Sequence, residues 1–180
     1  MKILLAVDFS QIGREVAFRG YHYAQQLGAE VTFLHVVSAI SNFVESYNLH
    51  FFITPEARST EAKVKEAARV QLKHLIDDVR GHYSDMPEPR WDERVEVAGS
   101  PGSEIIRISE AEHYDVIIIG NKGYSTVERV LLGSTALKVI NSAKCSVWLY
   151  RHTDYVTHEA PADEPLSEKI WDNKDPLPSI

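Results

Sequence analysis

Two stretches of this chain are apolar at every position, Ile3 to Val7 and Val116 to Ile119, and each ends abruptly, at Asp8 and at Gly120-Asn121. A strand with one wet face alternates apolar and polar residues, so a short run without alternation fits a strand covered on both faces. Doubly covered strands belong to parallel sheets whose crossover helices lie on either side. The rest of the chain keeps that rhythm. Ser10 can cap a helix carrying Ile12, Val16, Ala24 and Leu27 and ending at Gly28, and Val31 to Val37 follows as a β-branched strand. Thr54-Pro55 opens the longest helical pattern, with Val64, Ala67, Ala68, Leu72, Leu75, Ile76 and Val79 at helical spacing up to Gly81.

Arg94 to Ala98 alternates charged and apolar residues, as an edge strand does, and Ser100-Pro101 then starts a helix with Ile105, Ile106, Ile108 and Ala111. Gly133 to Asn141 is a short helix with Leu137, Val139 and Ile140, and Val147 to Tyr150 is a fifth strand. The pattern predicts an α/β fold: an open five-stranded parallel sheet with right-handed crossovers and helices on both faces. The two fully apolar strands belong at its centre. That requirement selects the order 3-2-1-4-5 and puts the reversal of winding between strands 1 and 4, where open α/β sheets bind ligands at the carboxyl ends.

Length and charge narrow the function. The chain has 180 residues, enough for one well-buried core with an appendage. Its 26 acidic and 19 basic residues leave a net charge of −7, and no block of Lys and Arg offers a nucleic-acid footprint. No apolar run approaches the roughly 20 residues of a membrane helix. A single cysteine, Cys145, and a beginning without a charged and apolar leader point to the cytoplasm. Cys145 reads as a small apolar residue beside a strand. The eight histidines show no metal spacing; His22, His74 and His82 fall on stretches where solvation is the default. Ser38 to Ile53 has no clear period and reads as a long loop. Residues 1–151 form the domain, and 152–180 form an acidic, proline-containing tail whose composition favours disorder, with Ile170 and Trp171 as the residues that could dock it.

The most informative chemistry is Gly120-Asn121-Lys122-Gly123, nine further residues, then Gly133-Ser134 at a helix start. Glycines let backbone amides turn inward around an anion, and a helix N-terminus adds unpaired N–H groups and a partial positive charge, so the combination suits phosphate. Lys122 and Arg129 could neutralise a polyphosphate. There is neither a Walker A pattern nor a glycine-rich turn after strand 1, where Phe9-Ser10-Gln11-Ile12-Gly13 stands instead. Asp8, between a strand and a helix, is by position a turn-capping residue.

The Gly-x2-Gly-x9-Gly-Ser pattern resembles the nucleotide-binding signature of the universal stress proteins. Ile3-Leu4-Leu5-Ala6-Val7-Asp8, Leu34-His35-Val36-Val37 and Leu131-Leu132-Gly133-Ser134-Thr135 are similar to that family at matching places along Met1 to Tyr150. The resemblance implies a Rossmann-like fold, of the adenine nucleotide α-hydrolase type, that binds ATP with magnesium, or AMP. It implies that Asp8 contacts the ribose, that the Val36 backbone meets the adenine edge and that Ala6, Val7 and Ile119 line the base pocket. Gly120, Lys122, Gly123, Gly133, Ser134 and Thr135 would hold the phosphates. It also implies a homodimer through the last strand, although Cys145-Ser146-Val147-Trp148-Leu149-Tyr150 has aromatic residues where the family has smaller ones. Three functions remain open on these grounds. They are a nucleotide-dependent regulatory module acting on an unknown protein partner, a slow ATPase or autophosphorylating enzyme, and a partner-binding module without nucleotide. For the enzyme, the one acid beside the glycine loop is Glu128.

Overall fold

The computed structural model describes residues 1–38, 55–122 and 132–151, with the side chains of residues 55–60 outside that description. Gly123, Glu128, Arg129, Leu131, the Ser38–Ile53 loop beyond Ser38, Thr54 and the 152–180 tail lie outside the described residues. The described residues form, in order, β1 Lys2–Ala6, α1 Gln11–Leu27, β2 Glu30–Ser38, α2 Pro55–His82, β3 Trp91–Ala98, α3 Pro101–Ala111, β4 Val116–Gly120, α4 Ser134–Ser142 and β5 Ser146–Tyr150. The five strands form one parallel sheet in the order β3-β2-β1-β4-β5, as the placement of the two apolar runs predicts.

Strand side chains alternate between faces, so each central strand feeds two cores. Ile3, Leu5, Phe33 and Ile118 pack under α1 and α2 with Val16, Tyr21, Leu72 and Ile76. Leu4, Ala6, Ile117 and Ile119 pack under α3 and α4 with Ile105, Ile108, Ala136 and Val139. Helix starts and stops follow local chemistry. Ser10 Oγ accepts the Gly13 N–H at 3.1 Å, Ser100 Oγ accepts the Ser103 N–H at 3.4 Å, and Gly28 ends α1 in the left-handed region at φ 58°.

Several apolar residues that helical spacing assigns to buried faces are exposed. The 28 residues of α2 span about 42 Å at 1.5 Å per residue, much longer than the strands beneath. Its N-terminal part therefore outruns the sheet and leaves Val64 and Ala67 in solvent. Leu27 is the last residue of α1, and α4 buries only Ala136 and Val139, so that Leu27, Leu137 and Ile140 are open as well. His22 departs in the other direction, since α1 lays its ring flat against Tyr83 with centroids 5.1 Å apart, while His74 and His82 are exposed. Cys145 is half-buried against the α3–α4 core.

The two sheet edges differ in character. At β3 the outward groups are charged: Arg94 pairs with Glu96 at 2.7 Å and with Glu112, and Lys65 reaches Glu96 at 3.6 Å. The Arg94 hydrogen bond holds the Glu96 carboxyl below the usual glutamate range. Charges of this kind discourage pairing with another strand. At β5 the residues are Ser-Val-Trp-Leu-Tyr, with Trp148 and Leu149 exposed. Among the described residues, no helix is long and apolar enough to cross a membrane.

Candidate functional site

The crevice lies where the sheet changes winding direction, at the carboxyl ends of β1 and β4. Ladder register explains why it is open. Pairing of β1 with β2 runs from Lys2–Glu30 to Ala6–Leu34, whereas β2 and β3 stay paired to Ser38–Ala98. The last four residues of β2, His35 to Ser38, therefore overhang β1, and the side that a longer β1 would cover borders the crevice. A cavity of about 250 Å³ results, close to the lower end of the roughly 300–1,000 Å³ typical of small-molecule sites.

Ala6, Val7, Asp8, Val36, Ile119, Gly120, Lys122, Gly133, Ser134 and Thr135 all line this cavity, and Gly123 lies outside the described residues. Four elements bring these candidates together across more than a hundred residues of sequence. Residues that motif reasoning passed over join them: Gly13, Leu34, His35, Pro101, Ile105, Asn121 and Ala136. His35 sat inside a recognised segment without a role, and Pro101 at a helix start. Gly13 carried no signal at all.

Asp8 organises the mouth on the β1 side. Its Oδ1 accepts the Ser10 N–H at 3.2 Å and the Ser10 hydroxyl, while Ser10 Oγ in turn accepts the Gly13 N–H. This ties the turn to the start of α1 through one carboxylate oxygen. On the β4 side Asn121 joins three segments through its backbone: its N–H donates to Tyr150 C=O and its C=O accepts from Gly133 N–H, both at 2.7 Å. Gly120 is a glycine for packing reasons, because a Cβ there would meet Ile12 Cγ2 at 2.5 Å.

Gly133 is the N-cap of α4, in extended backbone at φ −71° and ψ 153°, and among the described residues no side chain caps this helix, whereas α1 and α3 are both capped by serines. The first-turn N–H groups of a helix have no intrahelical acceptor and carry a partial positive charge. An oxyanion suits that position, and Lys122 stands in the same wall. Ala6, Leu34, Ile105 and Ile119 add aliphatic surface to the same lining. The lining thus offers partners for an anion and for a flat apolar group. Among the described residues, no group of three or more His, Cys, Asp or Glu could hold a metal, and Asp8 is the one carboxylate among the described lining residues; a magnesium ion held by phosphate oxygens and water fits this lining.

Residues 1–151 match the model of the universal stress protein family. A universal stress protein of Methanocaldococcus jannaschii is 30% identical over 146 residues, covering 81% of this chain and 79% of that protein. Among solved structures, the universal stress protein UspA from Lactobacillus plantarum superposes with a TM-score of 0.68 at 24% identity, covering 84% of this chain and 97% of that one. The universal stress protein from Archaeoglobus fulgidus in complex with dAMP superposes at 0.56 and 20% identity, covering 83% and 96%.

Proposed function

This chain belongs to the universal stress protein family, and from that premise we propose that it is a cytoplasmic, nucleotide-dependent regulatory module that binds ATP in the crevice between β1 and β4. The observation that carries the proposal is that the Gly133-Ser134-Thr135 start of α4, which no described side chain caps, lines the same cavity as the aliphatic residues and the overhanging β2 backbone. The adenine lies between Ala6, Val7 and Ile119 with its edge toward Val36. The ribose hydroxyls meet Asp8 at Oδ2, since Oδ1 holds the turn. The phosphates sit on Gly120, Lys122, Gly123, Gly133, Ser134 and Thr135. AMP shares the adenosine half of this arrangement, and the complex of the Archaeoglobus fulgidus universal stress protein with dAMP supports an adenine nucleotide as the class of ligand. Magnesium would accompany the phosphates and neutralise part of their charge.

Calorimetric titration of nucleotide-stripped protein with ATP and magnesium, with GTP in parallel, is the direct test. Saturable one-site binding of ATP is expected, with GTP at least ~10-fold weaker because its donor and acceptor pattern opposes the Val36 backbone. Absence of ATP binding refutes the site and leaves a partner-binding module.

The active form we propose is a homodimer through β5, with residues 152–180 as a tail outside the 1–151 domain. The contrast between the charged β3 edge and the apolar β5 edge supports it, as does the exposed apolar surface on both sides of β5: Tyr23 and Trp148 on one, Leu149, Leu137 and Ile140 on the other. Light scattering at micromolar concentration should give twice the mass of the chain, and Leu149→Lys should give a folded monomer. A wild-type monomer under those conditions refutes the dimer.

A further inference from the structure

We infer that His35 is a positioning residue that keeps the β1–β2 ladder open by one rung, so that the Val36 backbone stays available to a purine base; this rests on the ATP reading above. The last backbone bond of the ladder runs from Val7 N–H to Leu34 C=O at 2.9 Å. In a parallel pair the next rung would run from Val36 N–H to Val7 C=O. That rung is absent, and Val7 C=O is met instead by His35 Nδ1 at 2.9 Å.

A carbonyl oxygen can only accept, so His35 Nδ1 carries the proton and the tautomer of the neutral ring is set by this contact. Phe9 holds the ring in place, with centroids 4.4 Å apart and planes inclined by 32°. Val7 is 4% exposed, and a buried carbonyl left without a donor is costly. Were His35 unable to donate, Val36 N–H would be the donor that continuing the ladder by one rung brings to Val7 C=O. Closing that rung satisfies Val7 but removes one of the two groups with which Val36 can recognise a base edge. The backbone N–H and C=O of one residue form a donor–acceptor pair matching the N1 acceptor and N6 donor of adenine, while guanine presents the reverse order. His35 thereby acts on base selection through Val36 and Val7.

The test combines nitrogen-detected NMR of the imidazole in nucleotide-free protein with ATP and GTP titrations of wild type, His35→Phe and His35→Asn, each with a thermal melt. Phenylalanine keeps the ring and its contact with Phe9 but cannot donate; asparagine offers an amide N–H near the position of Nδ1. The expected results are a proton on Nδ1, a ~10-fold loss of ATP affinity and a narrower ATP-over-GTP preference in His35→Phe, and recovery of both in His35→Asn. A neutral ring protonated at Nε2, a folded His35→Phe that binds ATP as wild type does, or an asparagine variant no better than phenylalanine would each overturn the proposal. If wild type binds ATP and His35→Phe matches it, the positioning role alone is lost; if wild type binds no ATP, the nucleotide reading falls and the proposal with it.

Discussion

Gly133→Asp should lower ATP affinity by ~100-fold or more, a loss of about 2.8 kcal/mol, while the folded protein becomes slightly more stable. The two effects have one cause. Gly133 stands at the N-cap of α4 in an extended conformation that any residue adopts, so aspartate enters without backbone strain. Its carboxylate can accept first-turn N–H groups that no side chain among the described residues caps, worth about 0.5 kcal/mol. The same carboxylate occupies the place proposed for phosphate oxygens and repels them. Opposite signs in the melt and the titration exclude simple misfolding as the reason for lost binding. A variant that is stabilised but binds ATP as wild type does would show that the phosphates do not rest on α4.

Gly13→Ala should be the most damaging single methyl added near the site, destabilising by about 2 kcal/mol and weakening ATP binding at the same time. Helix propensity alone predicts the reverse, since alanine is favoured over glycine by about 1 kcal/mol in a helix interior. Here the steric term wins. A Cβ on Gly13 would overlap the Asp8 carbonyl oxygen and Oδ1 and lie 2.7 Å from the Asp8 carbonyl carbon, and most of that obstacle is backbone. Either α1 withdraws from β1, loosening the core at Val16 and Ala17, or the Asp8 turn shifts and loses its bonds to Ser10. Chemical denaturation with a parallel ATP titration reads both. A variant as stable as wild type with intact binding would mean that this turn is softer than its packing indicates.

Much of the architecture is legible before any tertiary contact is known. The unbroken apolar runs at Ile3 and Val116 require strands with two covered faces, and two such strands in one alternating chain belong side by side, which yields the observed order. Helix limits set by Ser10, Gly28 and Ser100 are equally local, because a hydroxyl three residues from an amide or a left-handed glycine acts within one turn. The phosphate-suited segment is visible for the same reason: an uncapped glycine at a helix start is a property of adjacent residues.

What remained hidden is lateral. Nothing beside His35 announces that Val7 C=O, 28 residues earlier, will be its acceptor. Asn121 meets Tyr150 and Gly133 only because β4, β5 and α4 converge. Periodicity also overstated burial at Leu137 and Ile140, since a helical stripe says which side of a helix is apolar and not whether a neighbour exists to cover it. The sequence by itself determined the elements, their order in the sheet and the chemistry of the segment at α4, all governed by neighbours along the chain or by the two-sided burial of a strand. Only the tertiary structure decided how far β2 overhangs β1, which carbonyl His35 meets and which apolar faces stay open, because these depend on the register and lengths of elements that are remote in sequence and meet only once the sheet has formed.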